Sequence, residues 1–441
     1  MGNFAESYPN HLVEISRRSA QALENSGYDA VIFQAGEPLT LARDDQHYPF
    51  KAHPYFKWWL PLVDAPGSLV YFRPGERPKL VFFVASDFWY QPAAIPESWW
   101  PAHFDIVTVN TSQQAYAALP QDLSRTAWVG DERPELGGLG LSAINPQDLL
   151  CNLDFVRASK TAYEIECLAA ANRIAARGHR AAAECMQGGG SEYEIHQAFV
   201  AACGQREQEL PYNAIVALNE AGSVLHYQVL RRERPQPPRS LLLDAGASFA
   251  GYGSDITRTH AHSSADFKAL IAAMDTLQLG LCELCTAGTD WREIHLAALE
   301  RITALLRQAG VLRCSVEEAI ASGTARLFFP HGIGHLLGLQ VHDVGGTMAD
   351  TAGGLIPKPP QDPALRLTRT LEPGFVVTME PGLYFIDALL GPARETHHAA
   401  RIDWQRVAEL APFGGIRIED NLVITGGAAR NLTREAFADL R

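Results

Sequence analysis

The chain has 441 residues, which is too long for one ordinary hydrophobic core and comfortable for two domains. Apolar residues make up 47% and charged residues 20%, proportions that are normal for a globular protein and argue against disorder. With 37 Lys and Arg against 50 Asp and Glu, the net charge is −13. Such acidity disfavours binding to a phosphate backbone, so we expect no nucleic-acid partner.

The N-terminal segment MGNFAESYPNHLVEISRR has no apolar run of signal-peptide length, and no later stretch approaches the length of a membrane span. The seven cysteines are scattered. Cys282 and Cys285 are three residues apart on an expected helix, without a second pair nearby, and we interpret them as buried thiols. An odd number of unpaired thiols fits a reducing compartment. We therefore expect a cytoplasmic protein without a membrane partner.

The first part of the chain alternates short apolar runs with turn and helix patterns. Strands are predicted at 28–36, 68–74, 79–85, 104–109 and 126–131. Helices are predicted at 10–26 and 112–122, and the Gly- and Pro-containing segment 137–148 is typical of a loop. Strands interleaved with helices predict a small α/β domain over residues 1–157.

A long helix is predicted to begin near Ser159 and to end at the glycines 188–190. Further helices are predicted at 191–206, 263–286, 289–309 and 315–323. Strand-like runs follow at 213–219, 240–247, 375–385 and 415–424. We expect these elements to form a second, mixed α+β domain over residues 158–441.

Two aspartates flank a Gly-rich turn in LLLDAGASFAGYGSDITRT. Asp244 ends a strongly apolar strand, and Asp255 follows eleven residues later. A strand, a tight turn and a returning strand bring two such carboxylates together. Buried together they would repel each other, unless one stays protonated or a cation binds between them. The alternative is a pair of turn aspartates that cap a hairpin.

Three histidines lie within the Gly-rich segment HGIGHLLGLQVH: His331, His335 and His342. Glycines let the backbone approach a metal ion or a substrate closely, with imidazoles directed from several sides. A purely structural histidine remains the alternative for each of them.

Two glutamates occupy apolar surroundings. Glu380 lies in the middle of the predicted strand TMEPGLYF, just before a Pro-Gly turn, and Glu419 follows Ile418 in GIRIEDNLVI. An unpaired ionised carboxylate at such a position would cost several kcal/mol, so each needs a partner. For Glu419 the alternative partner is Arg417.

The order of these residues along the chain (Asp, Asp, His, Glu, Glu) resembles that of the pita-bread metallopeptidases, which include methionine aminopeptidase, aminopeptidase P and prolidase. The resemblance covers the whole second domain. Similarity to the bacterial prolidases and organophosphorus acid anhydrolases extends into the first half, through DDQHYPFKAHPYFKWWLPL (44–62) and FFVASDFWY (82–90). The fold implied for residues 158–441 is therefore the pita-bread fold.

The resemblance implies a dinuclear metal site. Asp244 would chelate one ion, Asp255 and Glu419 would bridge both ions, and His335 and Glu380 would complete the other. One imidazole and four carboxylates favour Mn²⁺, with Co²⁺ and Fe²⁺ as alternatives, over a structural zinc. Two ions that share a water would lower its pKa, so that hydroxide attacks near neutral pH with Glu380 as proton acceptor.

The resemblance also implies roles around the metals. His226 and His342 would stabilise the tetrahedral intermediate and move a proton to the proline nitrogen, while His331 matches a supporting position. Arg366 falls where prolidases place an arginine that binds the substrate carboxylate, with a surface arginine as the alternative. Arg417 would contact the substrate region and orient a bridging carboxylate, either Asp255 or Glu419.

Four more side chains are implied in the substrate pocket: Tyr212, Val341, Asp45 and Trp89. The first two would shape a small pocket with His342. Asp45 and Trp89 would close that pocket, with the second subunit of a homodimer as one source of them. For Trp89, packing in an interface or in the core remains the alternative.

Together these features predict a Xaa-Pro dipeptidase that hydrolyses dipeptides with a C-terminal proline and has a side activity on organophosphate triesters. One alternative is aminopeptidase P chemistry on longer Xaa-Pro peptides, and another is a non-catalytic binding module of the same fold. Arg366 and the similarity over the full length favour the dipeptidase. The presence of all five ligand residues disfavours the binding module.

Overall fold

A computed structural model of the chain describes residues 4–86, 88–89 and 91–440. Two compact units are present. The first consists of Met1–Cys167, Phe249–Tyr252 and Met348–Leu355, and the second of Leu168–Ser248, Gly253–Thr347 and Ile356–Arg441.

The first unit is built on a six-stranded mixed sheet. Its strands are β1 (Ala30–Gln34), β2 (Leu69–Phe72), β3 (Lys79–Phe83), β4 (Asp105–Val109), β5 (Thr126–Val129) and β6 (Ala143–Ile144). Its helices are α1 (Phe4–Ser26), α2 (Pro54–Trp59), α3 (Ser112–Ala117) and α4 (Gln147–Arg157). The strand order is β4-β3-β2-β1-β5-β6. The prediction of an α/β fold for this part of the chain is confirmed.

The apolar runs of this sheet are continuous because its central strands are covered on both faces. All five residues of β1 are buried, and β1 pairs antiparallel with β2 and parallel with β5. The loop predicted over 137–148 is wrong in part, since β6 pairs in parallel with β5 there and α4 begins at Gln147. A two-residue strand has too little periodicity to be found from sequence.

The second unit contains longer helices and several small sheets. The helices here are α5 (Ala162–Gln187, which begins in the first unit), α6 (Glu192–Cys203), α7 (Ala265–Cys282), α8 (Trp291–Gln308), α9 (Val316–Ala321), α10 (Asp387–Ala393), α11 (Trp404–Leu410) and α12 (Leu432–Ala438). The strands are β7 (Ile215–Leu218), β8 (Ser240–Asp244), β9 (Ser248–Phe249), β10 (Tyr252–Gly253), β11 (Thr257–Ala261), β12 (Val376–Met379), β13 (Gly382–Tyr384), β14 (Gly415–Arg417), β15 (Asp420–Val423) and β16 (Arg430–Asn431). Each helix within the described residues is too short or too polar to cross a lipid bilayer.

Both glutamate-bearing apolar runs are divided between two sheets. β12 pairs with β15, whereas β13 pairs with β14. Glu380 therefore follows the end of β12 rather than lying within a strand, and Glu419 lies between β14 and β15. Pro381 has no N–H to give to a ladder, which favours the break after Glu380. Each break turns a carboxylate out of the ladder.

The two aspartates lie at one end of a pair of antiparallel strands, as predicted. Thr257 of β11 is opposite Asp244 of β8, and the Ala245 N–H donates to the Ile256 carbonyl (3.0 Å). The connection is tight at Gly246, where a Cβ would lie 1.9 Å from the Ser254 carbonyl oxygen. Only glycine permits this approach, which holds the segment carrying Asp255 against the end of β8.

The close approach at Gly246 gives a stability prediction. We expect Gly246→Ala to lower the thermal midpoint, because the backbone must move and overpacking costs about 1–3 kcal/mol. Gly391→Ala is the control, since Gly391 lies in α10 with open space around its Cβ position. Circular dichroism melting of both variants measures the effect, and equal midpoints would contradict the steric argument.

Candidate metal and substrate site

A cavity of about 270 Å³ in the second unit brings most of the predicted site residues together. Its lining includes the five candidate ligands and five of the other residues singled out from the sequence: Asp244, Asp255, His335, Glu380 and Glu419, with His226, His331, His342, Arg366 and Arg417. These side chains come from strand ends and loops that are far apart in sequence.

Three ligand candidates form the tightest group. Donor atoms of Asp255, His335 and Glu419 all lie within 4.8 Å of one another, and all three residues are buried. His335 Nε2 is 3.4 Å from Asp255 Oδ2 and 3.6 Å from Glu380 Oε1. Buried carboxylates around one imidazole form a donor set that fits a divalent cation.

The orientation of the His335 ring directs Nε2 towards these carboxylates. Its Nδ1 is 2.9 Å from the Leu336 carbonyl, which can only accept, so Nδ1–H donates there. Thr378 Oγ1 accepts from the His335 backbone N–H (3.1 Å) and donates to Glu380 Oε1 (3.3 Å). Gly334 permits this arrangement, because a Cβ there would lie 2.1 Å from the Thr378 carbonyl oxygen.

Glu419 is held by Thr257. The Thr257 hydroxyl donates to Glu419 Oε2 (2.7 Å), and the Thr257 hydroxyl oxygen itself accepts from Arg417 Nε (3.1 Å). The Glu419 backbone N–H donates to the Thr257 carbonyl (3.0 Å). Both the backbone and the side-chain carboxylate of Glu419 are therefore hydrogen-bonded to Thr257, the first residue of β11.

Asp244 accepts hydrogen bonds on both oxygens. Tyr212 donates its hydroxyl to Oδ1 (2.7 Å), and Arg417 donates to Oδ2 (2.7 Å). Arg417 also donates to the Tyr384 hydroxyl (2.9 Å). The expectation that Arg417 orients Asp255 or Glu419 is thus wrong for its direct carboxylate contact, since that partner is Asp244.

The carboxylates are too crowded to be ionised together without further positive charge. Burial raises the pKa of Asp244, raises that of Glu380 to about 7, and raises that of Glu419 well above its usual value. Burial is the largest single influence on Asp255 and acts in the same direction, but the hydrogen bond and charge of His335, together with Tyr212 and His342, outweigh it and lower the pKa. A divalent cation would supply the charge that Arg417 and His335 alone do not.

Two further histidines are neutral in this environment. Burial and the charge of Arg417 lower the pKa of His331 to about 3, and its Nε2 lies 2.8 Å from the Tyr384 hydroxyl. Burial and the neighbouring His335 lower the pKa of His342 to about 4. The rings of His342 and His335 meet edge to face with centroids 4.5 Å apart.

Three hydroxyl residues of this network were not found from the sequence: Thr257, Thr378 and Tyr384. Each lies on a strand that ends at, or packs beside, a ligand candidate. Their signal in the sequence is only a polar residue within an apolar run (TRT, VVTME, GLYF). That signal becomes specific only when the strand pairing is known.

The remaining predicted residues lie outside the cavity lining. Tyr212 contacts Asp244, and Val341 is half-buried next to His342. In the first unit Asp45 is exposed in a turn, and Trp89 is 77% exposed, so Trp89 does not pack in the core of that unit. Asp87 and Tyr90 of the same motif lie outside the described residues. The roles of Asp45 and Trp89 stay predictions.

Family models match both parts of the chain. Residues 6–155 match the model described as Xaa-Pro dipeptidase, N-terminal domain, and residues 166–426 match metallopeptidase family M24. The chain belongs to metallopeptidase family M24. As an M24 member it is a metal-dependent peptidase, which agrees with the donor set of the cavity.

Several similar proteins span nearly the whole chain. A Xaa-Pro dipeptidase of Xanthomonas axonopodis pv. citri is 46% identical over 98% of this chain and 98% of its own, and one of Stenotrophomonas maltophilia is 46% identical over 98% and 97%. Solved structures share the fold. The Pseudomonas aeruginosa aminopeptidase PepP has a TM-score of 0.73 at 22% identity, covering 97% of this chain and 98% of its own. Aminopeptidase P from E. coli with the inhibitor Pro-Leu has a TM-score of 0.72 at 23% identity, covering 96% and 97%. These structures confirm the pita-bread fold predicted for an M24 chain.

The Thr257–Glu419 contact predicts an effect on metal affinity. Thr257→Val keeps the shape but removes the hydroxyl that orients Glu419, so we expect metal to bind about 10- to 100-fold more weakly. Thr259→Val is the matched control. Thr259 lies two residues after Thr257 on β11, and its hydroxyl hydrogen-bonds to the backbone of Arg417 instead of to a ligand candidate. Calorimetric titration with Mn²⁺ measures both variants, and equal affinities would contradict the role of Thr257.

Proposed function

We propose that this M24 chain is a Xaa-Pro dipeptidase that hydrolyses dipeptides with a C-terminal proline, and that it does so in the cavity of the second unit with two divalent ions. The convergence of Asp255, His335 and Glu419 on one point carries the proposal. The 46% identity to Xaa-Pro dipeptidases over 98% of the chain supports the substrate class.

Five residues would hold the ions: Asp244, Asp255, His335, Glu380 and Glu419. Four carboxylates with one imidazole form a hard, oxygen-rich donor set, and we propose Mn²⁺ as the metal on that ground. When bound, the ions would polarise the scissile carbonyl and lower the pKa of a water at the site. Arg417 forms an ion pair with Asp244 and also lines the cavity, so its positive charge offsets part of the negative charge of the carboxylates.

Proton transfer falls to side chains of the cavity. Glu380 accepts the proton of the attacking water, because its carboxylate is held by Thr378 at the cavity wall. His226 and His342 stabilise the tetrahedral intermediate by hydrogen bonding and deliver a proton to the proline nitrogen. Without that proton the amine would be a poor leaving group.

Arg366 is our candidate for recognition of the free carboxylate of the dipeptide. It is exposed at the cavity, where its planar guanidinium can bind a carboxylate through two parallel hydrogen bonds. Tyr212 and Val341 lie outside the cavity lining, and we propose that they shape the small pocket beside His342 through the residues they adjoin, Tyr212 through its hydrogen bond to Asp244. A longer peptide would carry an amide instead of that carboxylate.

We further propose a division into domains 1–157 and 158–441, a cytoplasmic location and a homodimer, with Asp45 and Trp89 closing the substrate pocket and the second copy as one source of them. The seven cysteines are all free, which suits a reducing compartment. The exposure of Trp89 suits an interface. Light scattering tests the dimer, and a mass equal to one chain would contradict it.

Metal dependence is the first test. Chelator-stripped protein is expected to be inactive on Ala-Pro and Leu-Pro until Mn²⁺ is added, since the carboxylates alone activate no water. Glu380→Ala is expected to lose at least about 100-fold in kcat with metal present. Full activity in the stripped protein would overturn the proposal.

Substrate length tests Arg366 and separates the dipeptidase from aminopeptidase P. Arg366→Ala is expected to raise KM for Ala-Pro about 10- to 100-fold through loss of a charged hydrogen-bonded pair. Arg307→Ala, an exposed arginine of α8, is the control. If the wild-type enzyme cleaves Ala-Pro-Ala-Ala as well as Ala-Pro, aminopeptidase chemistry is the better description.

The proposed side activity has its own test. A phosphoryl oxygen can occupy the place of the scissile carbonyl, so the Mn²⁺-loaded enzyme is expected to release fluoride or an aryl alcohol from an organophosphate triester. The Glu380→Ala variant serves as the control. Release no faster than in the control would exclude the side activity.

A further inference from the structure

His226 reaches the cavity from a segment without regular secondary structure. Residues 224–239 connect a short 3₁₀ turn (Asn219–Ser223) to β8, and His226 is exposed within this connection. A proton-transferring group must hold its position to within a fraction of an ångström. The contacts that fix this loop therefore bear on the reaction.

The base of the loop is closed by Asn219. This side chain is 5% exposed, and its Oδ1 accepts from the backbone N–H groups of Arg239 (2.8 Å) and Ser240 (3.3 Å). Its Nδ2 donates to the Pro237 carbonyl (3.0 Å). The two ends of the loop are thus tied together, some distance along the chain from His226.

The middle of the loop is held by Glu192, the first residue of α6. Glu192 is 1% exposed and accepts three hydrogen bonds. Oε2 accepts from the Tyr227 hydroxyl (2.8 Å) and the Arg231 N–H (2.7 Å), and Oε1 accepts from the Leu218 N–H (3.1 Å). The Tyr193 N–H donates to the Arg231 carbonyl (3.1 Å), which adds a backbone tie at the same place.

Tyr227 connects Glu192 to His226. It is 6% exposed and packs with Ala221, Leu242 and Tyr384 in one apolar cluster. Tyr227 directly follows His226, so a fixed Tyr227 ring fixes the backbone from which His226 extends. One side chain enters the core, and its neighbour lines the cavity.

We propose that Glu192 and Tyr227 are positioning residues for His226. Their hydrogen bond holds the loop so that the His226 imidazole stands at the substrate. This inference rests on the proposed function, because it assumes that His226 acts in hydrolysis. Neither Glu192 nor Tyr227 lines the cavity, so their effect must pass through the loop.

Tyr227→Phe tests the inference by removing only the hydroxyl. We expect kcat for Ala-Pro to fall about 10-fold while KM changes little, since a displaced imidazole slows proton transfer more than binding. Glu192→Gln is a second variant and is expected to act in the same direction. Tyr193→Phe is the matched control, because the Tyr193 hydroxyl is on the same helix but does not donate a hydrogen bond to the Glu192 carboxylate. This variant should retain wild-type kcat.

The decisive comparison uses His226→Ala as the background. If Tyr227 acts through His226, Tyr227→Phe should cause no further loss of kcat there. An equal loss in both backgrounds, or a wild-type kcat in Tyr227→Phe and Glu192→Gln when His226→Ala is impaired, would overturn the inference. An unimpaired His226→Ala variant would instead refute the proposed role of His226 itself.

Discussion

The crowding of four carboxylates into one cavity with His335 is the constraint on which the second unit depends. Burial drives the pKa values of Asp244, Glu380 and Glu419 upward, which disfavours having all of them ionised at once without further positive charge. Hydrogen-bond donors nevertheless surround and orient these carboxylates: Thr257 donates to Glu419, and Tyr212 donates to Asp244. Such an arrangement is explained by a cation that binds there.

The fold serves this constraint by ending strands where a carboxylate is needed. Asp244 is the last residue of β8, Glu380 follows β12, and Glu419 lies between β14 and β15. At each position the ladder stops, and the side chain faces the cavity instead of a neighbouring strand. Close approaches at Gly246 and Gly334 bring the flanking segments together. Strand ends are rigid, which suits ligands that must keep their geometry.

Much of this could be predicted from the sequence, for identifiable reasons. Charged residues within apolar runs, as at Asp244 and Glu380, are informative because burial of an unpaired charge is costly. The supporting residues could not be found in this way. Thr257 and Tyr384 are ordinary strand residues until pairing places them beside Glu419 and Arg417, and β6 is too short to have a period. The predicted carboxylate partner of Arg417 was wrong, because closeness in sequence to Glu419 does not determine where the long arginine side chain reaches; it contacts Asp244.

The most direct test of the account is the number of metal ions that the protein binds. Chelator-stripped protein titrated with Mn²⁺ in a calorimeter should bind two ions per chain. The variant Asp255→Ala with Glu419→Ala should bind none with comparable affinity, while its circular dichroism spectrum stays that of the folded protein. Stoichiometric binding that survives in this double variant would contradict the claim that the buried carboxylates form the metal site.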